Sequence, residues 1–130
     1  MITIKTDIAR NATAEAVTDL LNSGSKFPNA RLYVYDSDRV TKLFHLNFSG
    51  TAFTKPAVAG VINAAGLPYT TLSYGAGTAT WYSANNRDNV PIWSGDVTDL
   101  RGSGSMRLAS TAIVSGLYIS IQSIAYTVPE

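Results

Sequence analysis

Hydrophobic and polar positions alternate along most of this chain, with a helical period in only one place. Ile2 and Ile4 alternate with polar neighbours, which predicts an extended arm or edge strand within an N-terminal segment of residues 1–10. From Asn11 the spacing changes: Ala12, Ala16, Val17, Leu20 and Leu21 recur at three and four, predicting one amphipathic helix over about residues 11–22. Asn11 or Thr13 is the expected N-cap, and Gly24 is expected to end the helix in the left-handed conformation. The apolar side, Ala16, Val17, Leu20 and Leu21, is expected to seal an edge or end of the β structure. On that placement a charge at Leu20 would destabilise the fold by several kcal/mol.

The remainder reads as strands and turns. Arg31-Leu-Tyr-Val-Tyr35 and Lys42 to Phe48 alternate on either side of the Asp36-Ser-Asp38 turn cluster, which predicts a hairpin with Phe44, Leu46 and Phe48 on one face. Ala57 to Ala64 reads as a weaker strand. Gly77 to Ser83 and Val90 to Ser94 flank the dense turn signal Asn85-Asn-Arg-Asp-Asn89 and predict a second hairpin, with Ala79 and Trp81 facing inward and Tyr82 outward. Arg101-Gly-Ser-Gly-Ser105 reads as a flexible exposed loop before a strand near Met106 to Ala109. In the last run, Leu117, Ile119 and Ile121 share one parity, whereas Ile124, Tyr126 and Val128 share the other. That phase slip near Gln122 and Ser123 predicts a β-bulge or bend. The sum is a mainly β domain over residues 11–130: an antiparallel β-sandwich of seven or eight strands with one N-terminal helix.

Composition limits the function classes. The 130 residues carry 10 Lys and Arg against 9 Asp and Glu, a formal charge of +1 without long runs of one sign. Such a chain has no long-range attraction for a phosphate backbone, so no nucleic-acid partner is expected. The absence of cysteine excludes disulfides and thiolate metal sites. The first residues lack a basic start followed by an apolar core, so neither a signal peptide nor a membrane anchor is expected.

Chemistry-bearing motifs are sparse. One histidine, His45, without cysteine cannot make a typical zinc site, and no nucleophile is nominated beside it. Asp36 and Asp38 have the spacing that opens a calcium loop but lack its Gly and closing Glu, so they read as a turn, and Asp96 and Asp99 read as a loop network. Arg101 to Ser105 lacks the Lys and the strand-to-helix setting of a phosphate loop. No catalytic residue, cofactor or metal ligand is therefore expected, and no enzyme. Aromatics are the remaining candidates: Trp81 reads as core, while Trp93, Tyr69 and Tyr74 are expected to be open enough for an interface or a sugar platform.

Several blocks together resemble a family of small tailed-bacteriophage virion proteins: Leu20-Leu-Asn-Ser-Gly24, Ala52-Phe53, Gly60-Val61, Ala65-Gly-Leu-Pro68, Gly77-Thr-Ala-Thr-Trp-Tyr82, Trp93-Ser-Gly-Asp-Val97, and Ser115-Gly through Thr127-Val-Pro129. The turn at Asn85 to Asn89 and the charged stretch from Arg101 to Arg107 depart from the family's plainer forms. The resemblance implies a head decoration, or cement, protein: a jelly-roll-like β-sandwich that sits on the capsid surface as a dimer or trimer and clamps neighbouring major capsid subunits. It implies synthesis in the host cytoplasm and residence in the virion, with the major capsid protein as partner and no membrane. Ile2, Ile4, Tyr69, Tyr74 and Trp93 are the expected interface residues. A neck, tail or baseplate role is the alternative within the virion. From another class, a glycan-binding module would use Tyr69, Tyr74, Tyr82 or Trp93 against sugar rings, with Asp96 or Asn86 on hydroxyls.

Overall fold

A computed structural model describes residues 6–48, 53, 57–64 and 69–127. The chain begins there with helix α1 (Asp7–Leu21), followed by β1 (Arg31–Tyr35), β2 (Lys42–Asn47), β3 (Val61–Asn63), β4 (Tyr69–Leu72), β5 (Gly77–Thr78), β6 (Trp81–Asn85), β7 (Pro91–Asp99), β8 (Met106–Leu108), β9 (Ala112–Ile113) and β10 (Tyr118–Thr127). The expectation of one helix in a mainly β chain holds. Its start does not: Thr6 is the N-cap, accepting from the Ala9 N–H at 3.3 Å, and Asp7 sits in the first turn, where the helix dipole favours a carboxylate. Residues 7–10, assigned above to an arm, are therefore the first helical residues. Ile2 and Ile4 lie outside the described residues.

The buried stripe of α1 is Arg10, Ala14, Thr18 and Leu21, whereas Ala16 and Leu20 are exposed and Val17 is intermediate. Leu21 is buried as the periodicity predicts, but the rest of the buried side is rotated away from Ala16, Val17 and Leu20, because this helix has few large apolar residues and polar anchors set its rotation. Asn11 Oδ1 accepts the Gly60 N–H at 2.8 Å, and Glu15 Oε2 accepts the Ala57 N–H at 3.3 Å. Ala57 precedes, and Gly60 lies within, a tight turn in which Ala59 and Gly60 have φ of 51° and 75°, joining Val58 and Val61 in an antiparallel bridge. The helix thus docks on β3 and β7 through its tie to that turn. Gly24 does take a left-handed φ of 116°, after Asn22 has capped the helix.

Strands run in the order β2-β1-β6-β7-β8-β10-β3, with β4 also paired to β10 and a separate β5-β9 ladder. The expected antiparallel two-sheet sandwich is replaced by a mixed sheet that is nearly closed. Two features cause this. β7 and β8 are parallel, with Val97, Thr98 and Asp99 facing Met106, Arg107 and Leu108. And the segment after β4 returns to β2, where the Tyr74 and Gly75 N–H groups both donate to the Leu43 carbonyl at 3.0 Å. A β-carbon on Gly75 would stand 2.5 Å from the Lys42 carbonyl oxygen, so this seam closes only over glycine.

The parallel return from β7 to β8 is made by residues 100–105, the stretch that reads as a flexible loop. It is instead pressed onto β7. Gly104 is buried, its N–H donates to Thr98 Oγ1 at 3.0 Å, and β-carbons at Gly102 and Gly104 would lie 2.5 Å and 2.9 Å from Thr98 side-chain carbons. The glycines permit close approach rather than mobility.

The bulge expected near Gln122 and Ser123 is present as a register shift between Ile121 and Ser123. It lets one strand serve two neighbours on the same side: Tyr118 to Ile121 pair with β4, and Ala125 to Thr127 pair with β3. Both hairpins are present, β1–β2 and β6–β7. Among the described residues there are ten strands rather than seven or eight, the additions being short ladders such as β5 and β9. Leu32, Val34, Phe44, Leu46, Tyr82, Ala84, Met106, Leu108, Ile121 and Ile124 fill the core.

Candidate functional site

Alternation along β1 divides the hairpin sheet into two chemically distinct faces. Leu32 and Val34 point into the core, which puts Arg31, Tyr33 and Tyr35 on the opposite side, where Arg31 and Tyr35 are half-buried and Tyr33, under Lys42, is buried. Register then adds His45 beside Tyr33, Lys42 and Trp81 beside Tyr35, and Asn47 and Asn85 beside Arg31. The outer face is therefore aromatic and basic. Tyr33 and His45 rings are 5.6 Å apart and His45 and Tyr74 rings 5.5 Å apart, with His45 Nδ1 hydrogen-bonded to the Tyr74 hydroxyl at 3.1 Å.

Cations lie over these rings. Arg39 is 3.9 Å from the Trp81 centroid, Lys42 is 4.4 Å from that of Tyr33, and Arg31 is 3.7 Å from that of Phe27, with Lys26 at 5.6 Å from the same ring. Each such contact contributes about 0.5–1 kcal/mol at an exposed site. Among the described residues none of the four makes a salt bridge, and Arg10 and Asp7 form one, on α1. The nearby carboxylates are occupied by backbone. Asp38 accepts from the Thr41 hydroxyl and then from the Thr41 and Val40 N–H groups, which holds its pKa below the ordinary value. Asp88 accepts from the Ser25 and Lys26 N–H groups with the same effect, and Asp36 accepts from those of Ser37 and Thr78.

Partial burial, then the charges of Arg31 and Lys42, push the His45 pKa down, so the imidazole is neutral near pH 7. Burial first, then Tyr33 and Tyr35, push the Tyr74 phenol up, the opposite of what a nucleophile requires. Asp99 Oδ1 accepts the Arg101 and Gly102 N–H groups, and Asp36 and Asp38 form the turn expected of them. Among the described residues no group of three or more His, Asp or Glu side chains gathers into a metal cage, and no helix is long and apolar enough to cross a membrane.

A second aromatic cluster lies on the core side. Trp93 is half-buried, 5.2 Å from the Phe53 ring and 5.1 Å from that of Tyr126, and its Nε1–H donates to the Tyr82 hydroxyl at 3.2 Å. That hydroxyl also bonds Ser105 Oγ at 2.7 Å, and burial pushes the Tyr82 pKa up. Trp93, Tyr126, Ser94, Ser105 and Thr127 line a cleft of about 290 Å³ beside it.

The expected site residues are thus separated. Tyr74, half-exposed, belongs to the outer face; Trp93 belongs to the cleft; Tyr69 opens β4 opposite Ile121. Trp81 and Tyr82 exchange the roles expected of them: Tyr82 is 1% exposed, and Trp81 is half-buried on the outer face beneath Arg39. The cause lies upstream. Ala79 is buried where the chain leaves the β5–β9 ladder for β6, bonding Thr111 there while Thr80 bonds Tyr35, and the inward parity restarts at Tyr82. The outer-face row of Arg31, Tyr33 and Tyr35 was visible in the sequence as the parity opposite Leu32 and Val34, an aromatic face where a solvated strand usually carries small polar residues. Comparison with family models, with curated proteins and with solved structures gives no match to this chain.

Proposed function

We propose that this chain is a structural protein of a tailed-bacteriophage virion, a capsid decoration or cement protein that binds the outer shell and bridges major capsid subunits as a dimer or trimer. The reading starts from the family resemblance in the sequence blocks, and one structural observation carries it further. The outer face of β2-β1-β6 carries the residue types enriched in protein interfaces, with Tyr74 and Arg39 exposed, Arg31, Tyr35 and Trp81 half-buried, and Tyr33 buried beneath Lys42. Binding only the expanded shell would stabilise that state by mass action, a role that needs contact area and no catalytic step or cofactor. Ile2 and Ile4 would add a strand to a neighbour, main-chain hydrogen bonds supplying affinity. Synthesis in the host cytoplasm and residence on the capsid surface follow from the same reading.

Quantitative mass spectrometry of purified particles tests it. One copy per major capsid subunit, or a simple fraction of that, supports shell decoration. Six or twelve copies per particle moves the protein to the neck, tail or baseplate, and absence from the particle overturns a virion role. A glycan-binding role has one observation in its favour, the cleft in which Trp93 and Tyr126 stand beside the hydroxyls of Ser94, Ser105 and Thr127. Binding of the intact protein to a sugar array, lost in Trp93→Ala with the fold retained, would support that reading instead.

A further inference from the structure

The outer face carries four cations, Lys26, Arg31, Arg39 and Lys42, each laid on an aromatic ring and, among the described residues, none in a salt bridge. Resting on the decoration reading, we infer that this face docks onto an acidic protein surface of the shell, carboxylates from the partner completing the ion pairs that this chain leaves open. Stacking on a ring holds a guanidinium or ammonium in place, and Arg31 Nη1 also donates to the Tyr33 hydroxyl at 3.5 Å; such restraint lowers the entropy lost when a carboxylate is bound. Arg31, Tyr33 and Tyr35 recur every second residue, so the row on β1 alone extends about 13 Å at the usual strand rise. Arg39 and Lys26 extend it at either end through Trp81 and Phe27.

Charge complementarity decides the class of partner. The oxygens of Asp36, Asp38 and Asp88 are bound by backbone N–H groups and, among the described residues, none of the three forms a salt bridge with the row, although the Asp88 charge offsets part of that on Lys26. The Arg31 and Lys42 charges are felt within the face itself, since both help to depress the His45 pKa. A single-stranded nucleic acid is the less fitting occupant, because base stacking needs bare ring faces and Trp81, Tyr33 and Phe27 are covered by their cations. The same covering disfavours sugar stacking.

The test uses intact protein and expanded shells of the encoding virus assembled without it, with binding read by co-sedimentation at low and high salt. Arg31→Glu with Lys42→Glu is expected to weaken binding roughly tenfold or more, and wild-type binding is expected to fall as salt rises. Arg31→Gln with Lys42→Gln, milder for folding, is expected to give an intermediate loss. Arg101→Glu with Arg107→Glu makes the same change in net charge at exposed positions off this face and is expected to bind as wild type. If wild-type protein binds but the two reversed pairs behave alike, the docking assignment is overturned and the decoration reading stands. If wild-type protein does not bind shells, the decoration reading fails and the docking assignment falls with it. Binding of wild-type protein to a thirty-nucleotide poly-dT strand, lost on reversal of Arg31 and Lys42, would assign the face to nucleic acid and overturn the proposal.

Discussion

Adjacent leucines on α1 provide a sharp test of the fold. Leu21 is 0% exposed and belongs to the core, whereas Leu20 is 55% exposed, although periodicity alone places both on the same buried side. Truncating Leu21 to Ala removes buried methyl groups and leaves a cavity beside the helix, a change that costs about 2–5 kcal/mol, with 3 kcal/mol a fair central value. An unfolding entropy near 2.1 cal/mol/K per residue amounts to about 0.27 kcal/mol/K for 130 residues. Leu21→Ala should then lower Tm by about 11 °C. Leu20→Ala loses little burial and gains slightly in helix propensity, so its effect should stay within about 0.5 kcal/mol, or 2 °C. Leu20→Asp should likewise be mild, contrary to the several kcal/mol that the periodicity implied. Urea unfolding and thermal melting of the two alanine variants measure the difference directly. Equal losses, or a larger loss for Leu20, would refute the helix rotation set by Asn11 and Glu15.

Three further outcomes follow from named contacts. Gly104→Ala places a methyl group 2.9 Å from Thr98 Cγ2 and 3.0 Å from the Asp96 carbonyl oxygen, and overpacking of this kind costs about 1–3 kcal/mol; Ser103→Ala, exposed in the same loop, should be neutral in urea unfolding, and matching behaviour would mean the loop is not pressed onto β7. Tyr82→Phe leaves Trp93 Nε1 and Ser105 Oγ without their shared partner and should cost about 1–3 kcal/mol; a urea midpoint as little changed as for the exposed Tyr118→Phe would sink that assignment. Asp88 has a folded pKa below its ordinary 3.8, so its stabilising contribution is complete above 3.8 and is lost as pH falls through the lower folded value. Asp88→Asn should therefore unfold at lower urea than wild type near neutral pH, the two converging in strong acid, and a difference that persists in acid would contradict the linkage.

What the sequence determined was local. Strand alternation in β1 and β2, the turn residues between them and the parity slip in β10 are all encoded within a few residues, because a period of two and the φ preferences of Asn, Asp and Gly act over that range. The candidate interface was legible to the same extent: Tyr74 could be read as open, and the outward parity of Arg31, Tyr33 and Tyr35 was present in the pattern. Tertiary structure decided the rest. Which side of α1 is buried depends on hydrogen bonds to Ala57 and Gly60, more than forty residues away in the chain. Whether Trp81 or Tyr82 faces the core depends on where the chain leaves one ladder for another. The closing of the sheet depends on the β7–β8 parallel pairing and the seam at Leu43, and neither leaves a periodic mark. Arg39 from the β1–β2 turn reaches the Trp81 ring of β6 only once the sheet has formed, whereas Lys26 and Arg31 meet Phe27 within five residues of chain, so the charged aromatic face joins a local cluster to one made by the register.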